Sequence, residues 1–237
     1  MFKMKIAALA GALGLILSVL ATPLMAMSFG IGVSGAGAYL EATGKETLKP
    51  DGATGVSDVT NHNLSNIFFM PSVYVQVTIG EEKFGDKNGF VLGIEHLPGS
   101  HQIGSKTTNK TDKLEIDSTT TGSNHAEAEL SNHSTIYIES PGFTGLGLFL
   151  KAGYTEVTVQ TNESLMTGSE YGDQTINATT LGGGFKGTHE SGISLKLVYE
   201  YTDYDNISIA STGSDVASTV TADADTQAVK LSLGYNF

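Results

Sequence analysis

Apolar and polar residues alternate with a period of two in several parts of the chain, which is the pattern of a β-strand with one apolar and one polar face. In the clearest segment, Ile193, Leu195 and Leu197 share one face while Ser194 and Lys196 share the other. Eight segments carry this signal and predict an all-β fold, an eight-stranded antiparallel up-and-down barrel. They lie at approximately 29–41, 66–79, 89–97, 127–139, 146–159, 176–187, 192–204 and 226–237.

The connections between these segments alternate between long and short. The short ones carry Gly, Pro and Asp turn chemistry, whereas the long ones are rich in Thr, Ser, Asn and Asp, a composition that predicts mobile loops. An up-and-down arrangement places all long connections at one end, as in transmembrane β-barrels. A soluble β-sandwich is the alternative, but it gives no reason for the alternation. The long connections are 42–65, 98–126, 160–175 and 205–225; the short ones are 80–88, 140–145 and 188–191.

The chain ends on an alternating strand in which Leu231, Leu233, Tyr235 and Phe237 share one face. This ending, with the strand count and the loop alternation, resembles the small eight-stranded outer-membrane barrels of the OmpA/OmpX-like superfamily, in their barrel-only form. The resemblance implies that these four residues are the signal for the barrel assembly machinery. It also implies periplasmic chaperones, outer-membrane lipid and lipopolysaccharide as partners. The location implied is the outer membrane of a Gram-negative bacterium, with loops extracellular and termini periplasmic.

The first 26 residues have the composition of a secretory signal peptide. Lys3 and Lys5 precede an apolar run from Ile6 to Leu20, and Thr22-Pro23 ends the run before a small-residue cleavage site. A transmembrane anchor is the alternative, but about 20 apolar residues are needed for a span and this run is shorter. We therefore expect residues 1–26 to be cleaved and residues 27–237 to form one barrel domain.

Charge and composition exclude several classes of function. The chain has no Cys, so disulfides and thiolate chemistry are absent, and all 13 basic residues are Lys against 25 acidic residues. Removal of the two N-terminal lysines leaves 11 Lys and a formal charge of −14, the wrong sign for binding nucleic acid. We expect no cofactor.

The charged residues within the strands fall on the faces opposite to the apolar residues. If the apolar faces meet lipid, four Lys and three Glu point into a lumen that side chains of an eight-stranded barrel just fill. Buried charges of mixed sign are expected to pair, which predicts an ion-pair network that plugs the lumen; a water-filled or gated ion path is the alternative. The seven residues are Glu95, Glu139, Lys151, Lys186, Lys196, Glu200 and Lys230.

Catalytic and metal chemistry have weak signals. His133-Ser134 is the nearest candidate for a catalytic pair, and His96, His101 and His125 flank a long connection, but no metal-binding spacing is present. We therefore expect a non-enzymatic barrel with long, mobile, acidic surface loops and without a metal site. Its expected role is structural or interactive, in membrane integrity, surface contact or adhesion; the alternative is a small transport barrel that passes a hydrophobic or small polar solute.

Overall fold

The structure is a computed structural model that describes residues 27–49, 58–80, 82–83, 86–87, 89–115, 118–143, 145–165, 170–212 and 217–237. The proposed signal peptide, residues 1–26, lies outside the described residues and stays a prediction. Within the described ranges, no helix is long and apolar enough to cross a membrane.

Eight long strands pair antiparallel in sequence order, and the eighth closes on the first. This confirms the predicted all-β, eight-stranded up-and-down barrel. Short strands at Glu82–Lys83, Asp86–Lys87, Glu170–Tyr171 and Ile207–Thr212 decorate the two ends. The long strands are β1 (Met27–Lys49), β2 (Asp58–Ile79), β3 (Phe90–Glu115), β4 (Ser118–Glu139), β5 (Leu148–Ser164), β6 (Gln174–Thr188), β7 (Ile193–Tyr204) and β8 (Ala217–Asn236).

The register of the ladders fixes the stagger of the barrel. If one starts at Leu92 on β3 and steps from each residue to its pairing partner on the next strand, a full circuit of the barrel arrives at Ile67 on β2. Leu92 itself pairs with Val77 on β2, which lies ten residues from Ile67 in sequence. A stagger of this size in eight strands corresponds to a strand tilt of roughly 40°. The intermediate partners are Ile138, Ala152, Leu181, Tyr201, Gln227 and Tyr39.

The prediction of long mobile loops is wrong for most of their length. Strands β3 and β4 continue through the region 98–126, and β1, β2 and β8 also extend far beyond their predicted ends. Thr-rich sequence suits strands because Thr is β-branched, and each extension is paired with its neighbour through a hairpin ladder. The polar composition indicates that these segments are exposed to water, but it does not reveal that they pair as strands.

The tight turns lie at the opposite end, together with Met27 and Phe237. Gly192 has a φ of +91° in the turn before β7, and an added Cβ there would meet the carbonyl of Asn236 at 2.5 Å. Gly147 has a φ of +68° before β5. Glycine is needed at both positions because other residues rarely adopt this conformation. We call the end of the barrel that carries these tight turns the turn end, and the opposite end the hairpin end.

A broad apolar belt surrounds the turn-end half of the barrel. The large apolar side chains that face outward here are between 37% and 75% exposed, which a soluble protein would not tolerate over so large a continuous surface. Aromatic residues lie at both borders of the belt, as in transmembrane barrels. The belt comprises Phe29, Ile31, Val33, Tyr39, Ile67, Phe69, Val73, Val75, Phe90, Ile138, Leu148, Leu150, Tyr154, Leu181, Phe185, Ile193, Leu195, Leu197, Tyr199, Tyr201, Val229, Leu231, Leu233, Tyr235 and Phe237.

The C-terminal residue completes the barrel wall. The backbone N–H of Phe237 donates to the carbonyl of Phe29 at 2.8 Å, and the reverse bond is 3.0 Å long. Its ring stacks on Phe29 with centroids 6.3 Å apart and on Tyr235 at 6.5 Å. The last residue therefore belongs to the belt; its role as an assembly signal stays a prediction.

Candidate functional site: the filled lumen

The seven charged residues that the sequence placed on inward faces lie together in the turn-end half of the lumen. They come from six consecutive strands, β3 to β8. Lys186 is partly buried, and the side chains of the other six are nearly inaccessible to solvent. These seven side chains point inward because successive side chains of a strand alternate between its two faces, and the outward face carries the apolar belt. The structure brings all seven into two connected groups.

The first group is a closed ring of four charges. Lys151 Nζ lies 3.1 Å from Glu95 Oε2 and 2.6 Å from Glu200 Oε1. Lys230 Nζ lies 2.8 Å from Glu95 Oε1 and 2.8 Å from Glu200 Oε2. Ser72 Oγ donates a further hydrogen bond of 2.5 Å to Glu95. Each charge in the ring therefore contacts two of opposite sign, which compensates the cost of their burial.

The second group is centred on Glu139, which is 2% exposed. Its Oε1 lies 2.7 Å from Lys196 Nζ, and its Oε2 lies 3.6 Å from Lys186 Nζ. Lys196 also donates to Gln76 Oε1 at 2.7 Å, and Lys186 donates to the carbonyl of Ser140 at 2.8 Å. One carboxylate thus serves two ammonium groups, and neutral acceptors complete their coordination.

Aromatic rings line the same layer and pack against the lysines. Lys151 Nζ lies 4.4 Å from the ring centroid of Tyr137, and Lys196 Nζ lies 5.4 Å from that of Tyr74, within the range of cation–π attraction. The hydroxyl of Tyr137 donates to Gln76 Oε1 at 3.3 Å. Sequence reasoning did not include these polar and aromatic partners in the site. Their inward parity on β2 and β4 was the signal that could have identified them.

Glycines on the neighbouring strands make room for these rings. A Cβ on Gly93 would overlap the ring of Tyr137, a Cβ on Gly32 would overlap the ring of Tyr74, and a Cβ on Gly234 would overlap the hydroxyl of Tyr74. These glycines therefore leave the space that the two tyrosine side chains occupy beside the lysines.

An apolar layer fills the lumen above the charged layer, toward the hairpin end. Its members are at most 8% exposed, and partly buried apolar residues including Phe68 and Ile207 pack against it. The residues that face outward at this level are polar. The strands are therefore apolar inside and polar outside here, the reverse of their arrangement at the charged layer. The layer consists of Leu40, Ile103, Leu130, Val157, Val159, Ile176, Ala178 and Tyr204.

A small cavity of about 30 Å³ separates the charged layer from the apolar layer. The ring of four charges forms its floor, and Tyr204, Met70, Leu97 and His133 line its walls. This volume holds about one or two water molecules.

The structure separates the candidate catalytic pair. His133 lines the internal cavity, whereas Ser134 Oγ bonds to His96 Nδ1 at 2.9 Å on the outer face. Neighbouring residues of a strand point to opposite faces, so these two side chains do not form a nucleophile–base pair.

The histidines that flank the second long connection are placed in strands, not in loops. His101 Nε2 contacts the carbonyl of Pro98 at 3.0 Å, and His125 Nδ1 contacts Thr107 Oγ1 at 2.9 Å. Within the described part of the chain, no three potential metal-ligating side chains come together.

No protein-family model matches the chain, and no curated protein matches it. Solved structures of outer-membrane barrels do match. Ail of Yersinia pestis, crystallised with the heparin analogue sucrose octasulfate, is 11% identical, with 87% of this chain and 99% of that chain covered and a TM-score of 0.35. Neisserial surface protein A is 11% identical, with coverages of 84% and 95% and a TM-score of 0.33. The protease OmpT of Escherichia coli is 8% identical, with coverages of 92% and 99% and a TM-score of 0.41.

Proposed function

We propose that this protein is a closed, non-enzymatic outer-membrane barrel of a Gram-negative bacterium. In this proposal its hairpin end is extracellular and makes surface contacts, in adhesion or in the support of membrane integrity. The observation that carries the proposal is the double filling of the lumen, by a charged layer and then by an apolar layer, beneath strands that project far beyond the belt.

The two layers support a closed barrel. The charges bind one another instead of lining a water-filled path, and the apolar layer adds a dehydrated barrier above them. A conducting pore needs a continuous wet path, and the cavity between the layers has a volume of only about 30 Å³. Both layers support a lumen that is closed to small polar solutes.

The length of the strands supports a role in surface contact. A transmembrane β-strand needs about 9–11 residues, whereas β3 has 26 residues and β4 has 22. The ladder of this hairpin extends beyond the belt up to the pair Glu115–Ser118, with three register shifts, and the outward side chains that the structure describes there are polar. A paired hairpin has fewer conformations to lose on binding than an unpaired loop, which favours recognition of a partner.

Orientation and closure are tested together. Because the chain has no Cys, Thr108→Cys on the hairpin and Ser191→Cys on a tight turn give single labelling sites. We expect a membrane-impermeant maleimide to label only Thr108→Cys on intact cells, and refolded protein to give no stable conductance in planar bilayers. Labelling of Ser191→Cys would reverse the orientation, and a steady ohmic conductance would make the protein a pore.

Surface contact is tested by trimming one hairpin. Replacement of residues 105–127 by Asn-Gly joins the paired residues Gly104 and Ala128 through a tight turn. The matched control replaces residues 208–221 by Asn-Gly, between the paired residues Ile207 and Ala222. We expect only the first variant to lose attachment of intact cells to immobilised glycans and matrix proteins. Equal attachment of wild type and the first variant would contradict a contact role for this hairpin.

A further inference from the structure

The barrel wall contains one interrupted ladder among its described strand pairs. The β2–β3 ladder runs from Ile79–Phe90 to Val73–His96 and ends there, although both strands continue. Beyond this point β2 remains paired only with β1, and β3 only with β4, within the described residues. We call the unpaired stretch the seam; it comprises residues 66–72 of β2 and residues 97–103 of β3.

Two prolines explain where the ladder ends. Continuation of the Val73–His96 register places Pro71 directly opposite Pro98, and neither residue has a backbone N–H to donate. Gly99 follows with a φ of +82°, and the pairing of β3 with β4 shifts between Leu97 and Ser100. The sequence thus encodes a break in the wall at a defined height.

Two side-chain hydrogen bonds join β2 to β3 along the seam: Ser72 Oγ donates to Glu95 at the turn-end edge of the seam, and the other bond lies at its hairpin-end edge. Asn66 Nδ2 donates to the carbonyl of Ile103 at 2.9 Å. The neighbouring ladder between β1 and β2 pairs every residue from Met27–Ile79 to Leu48–Asp58. Because ladder bonds are missing, the β2–β3 boundary is the part of the wall that opens with the fewest broken bonds.

Apolar side chains continue through the seam from outside to inside. Ile67 and Phe69 lie on its outer face and are 75% and 63% exposed, at the upper border of the belt. Met70 and Leu97 lie on its two sides and line the internal cavity. Ile103 belongs to the apolar layer, so the belt, the seam and the interior form one continuous apolar surface.

We propose that the seam is a lateral entrance and binding site for the hydrocarbon chain of an amphiphile resident in the surrounding leaflet. The chain passes between Phe69 and Pro98, contacts Met70 and Leu97, and ends against the apolar layer, while its polar group stays outside at the border of the belt. The cavity admits little more than a terminal methyl group when closed, so occupancy requires β3 to move away from β2. The charged floor of the cavity stops the chain from passing further, which is compatible with a lumen closed to ions.

The test uses the absence of Trp from the chain. A single Trp introduced as Leu97→Trp reports contact with a brominated acyl chain, because bromine quenches Trp fluorescence only at close range. The protein is refolded into phospholipid vesicles that contain a small fraction of brominated lysophosphatidylcholine. The matched control is Phe149→Trp, an inward aromatic position of β5 within an unbroken ladder. We expect loss of most of the fluorescence for Leu97→Trp and little loss for Phe149→Trp.

A lock on the seam identifies the route. Asn66→Cys with Ile103→Cys is added to Leu97→Trp, and the disulfide is formed or reduced in the same preparation. We expect oxidation to abolish the quenching and reduction to restore it, while Met70→Trp, on the other side of the seam, behaves as Leu97→Trp does. Absence of quenching at both seam positions in folded, heat-modifiable protein would overturn the proposal, and so would quenching that persists after oxidation. Equal quenching at Phe149→Trp would show general penetration of lipid and would also overturn it.

Discussion

The two halves of this barrel are built from the same strands with opposite arrangements of polarity. In the turn-end half, β5 carries Leu148 and Leu150 outside and Lys151 inside; a few residues further along, Glu156 faces outward and Val157 is fully buried. The strand continues without a change of face, so only the choice of residues has changed. The solvent around each half explains the difference: hydrocarbon surrounds the first half and water surrounds the second.

The comparison shows that one fold is stabilised by two different means. The turn-end half gains little from apolar burial inside the lumen, and its interior depends on charges and hydrogen bonds that must all be satisfied. The hairpin-end half resembles a small soluble protein, in which an apolar interior drives folding. Mutations in the two interiors should therefore act by different mechanisms and with different magnitudes.

The largest effect is expected for Glu139→Gln in the charged layer. The substitution removes the one carboxylate that contacts both Lys196 and Lys186. A buried pair that loses one partner typically costs about 3–5 kcal/mol, because a charge remains uncompensated. We expect a lower urea midpoint for the refolded protein in vesicles, restored in large part when Lys196→Met is added.

Glu200→Gln is the matched comparison within the same layer. Lys151 and Lys230 each retain Glu95 after this change, since the ring of four has two carboxylates. The loss of stability should therefore be smaller than for Glu139→Gln. Equal losses for the two variants, or no coupling between Glu139 and Lys196 in a double-mutant cycle, would show that the charges are hydrated and not paired as described.

The next effect is expected for Val157→Ala in the apolar layer. Val157 is fully buried, and the change removes two carbon atoms, so the loss is about 2 kcal/mol from transfer and cavity terms together. Thr158→Ala, at the neighbouring outward position, is the control and should change stability much less. If Val157→Ala leaves the urea midpoint unchanged, the interior of the hairpin-end half is not a packed core.

A smaller effect is expected at the far hairpin end, where Tyr171 joins three strands. Its hydroxyl donates to Glu46 Oε1 at 3.2 Å and also forms a hydrogen bond with Ser218 Oγ. Burial, opposed by the Ser218 hydrogen bond and reinforced by Glu46, raises the pKa of Tyr171 to about 12. Tyr171→Phe should cost about 1 kcal/mol near neutral pH.

The raised pKa of Tyr171 also predicts a pH dependence. The unfolded phenol ionises near its ordinary value of 10.0, before the folded one does. Stability from this group is therefore complete below pH 10 and declines as the pH rises toward 12. Wild type should lose stability more steeply than Tyr171→Phe over this range, as measured by thermal unfolding followed by far-UV circular dichroism. Parallel alkaline curves for the two proteins would contradict the burial of this hydroxyl.

The sequence predicted the architecture and the inward charges because both depend on a period of two. Parity needs no knowledge of distant contacts, so Glu95, Lys151 and Lys196 were assigned to the lumen from local alternation alone. Their grouping into a ring and a separate Glu139 group depends on the stagger of ten residues between β2 and β3. Stagger results from ladder register across eight strands, and local sequence does not encode it.

The strand extensions and the apolar layer were missed for a related reason. In the segment 98–126, apolar residues such as Ile103 are sparse among Ser and Thr, so the alternation that predicts a strand is weak. These few residues form a layer only because eight strands bring them to the same height. The break in the wall was missed as well, because Pro71 and Pro98 lie far apart in sequence and only the register places them opposite each other.

The smallest effect is expected just above the belt, where Asp225 pairs with Glu41 on one side and Asp203 on the other. Desolvation and then the neighbouring charges of Glu41 and Asp203 raise the pKa of Asp225 above its ordinary value of 3.8. A carboxyl whose pKa is raised by folding favours the folded state at low pH and opposes it once ionised, so its contribution becomes unfavourable as the pH rises from below 4. Asp225→Asn should therefore be more stable than wild type at pH 7 by a fraction of a kcal/mol, since the site is partly exposed and screened. The advantage should shrink as the pH falls toward 3, where Asp225 is protonated. Glu190→Gln, an equal change of charge in a turn at the other end, is the control; if it gives the same pH dependence, the effect belongs to net charge and not to the three adjacent carboxylates.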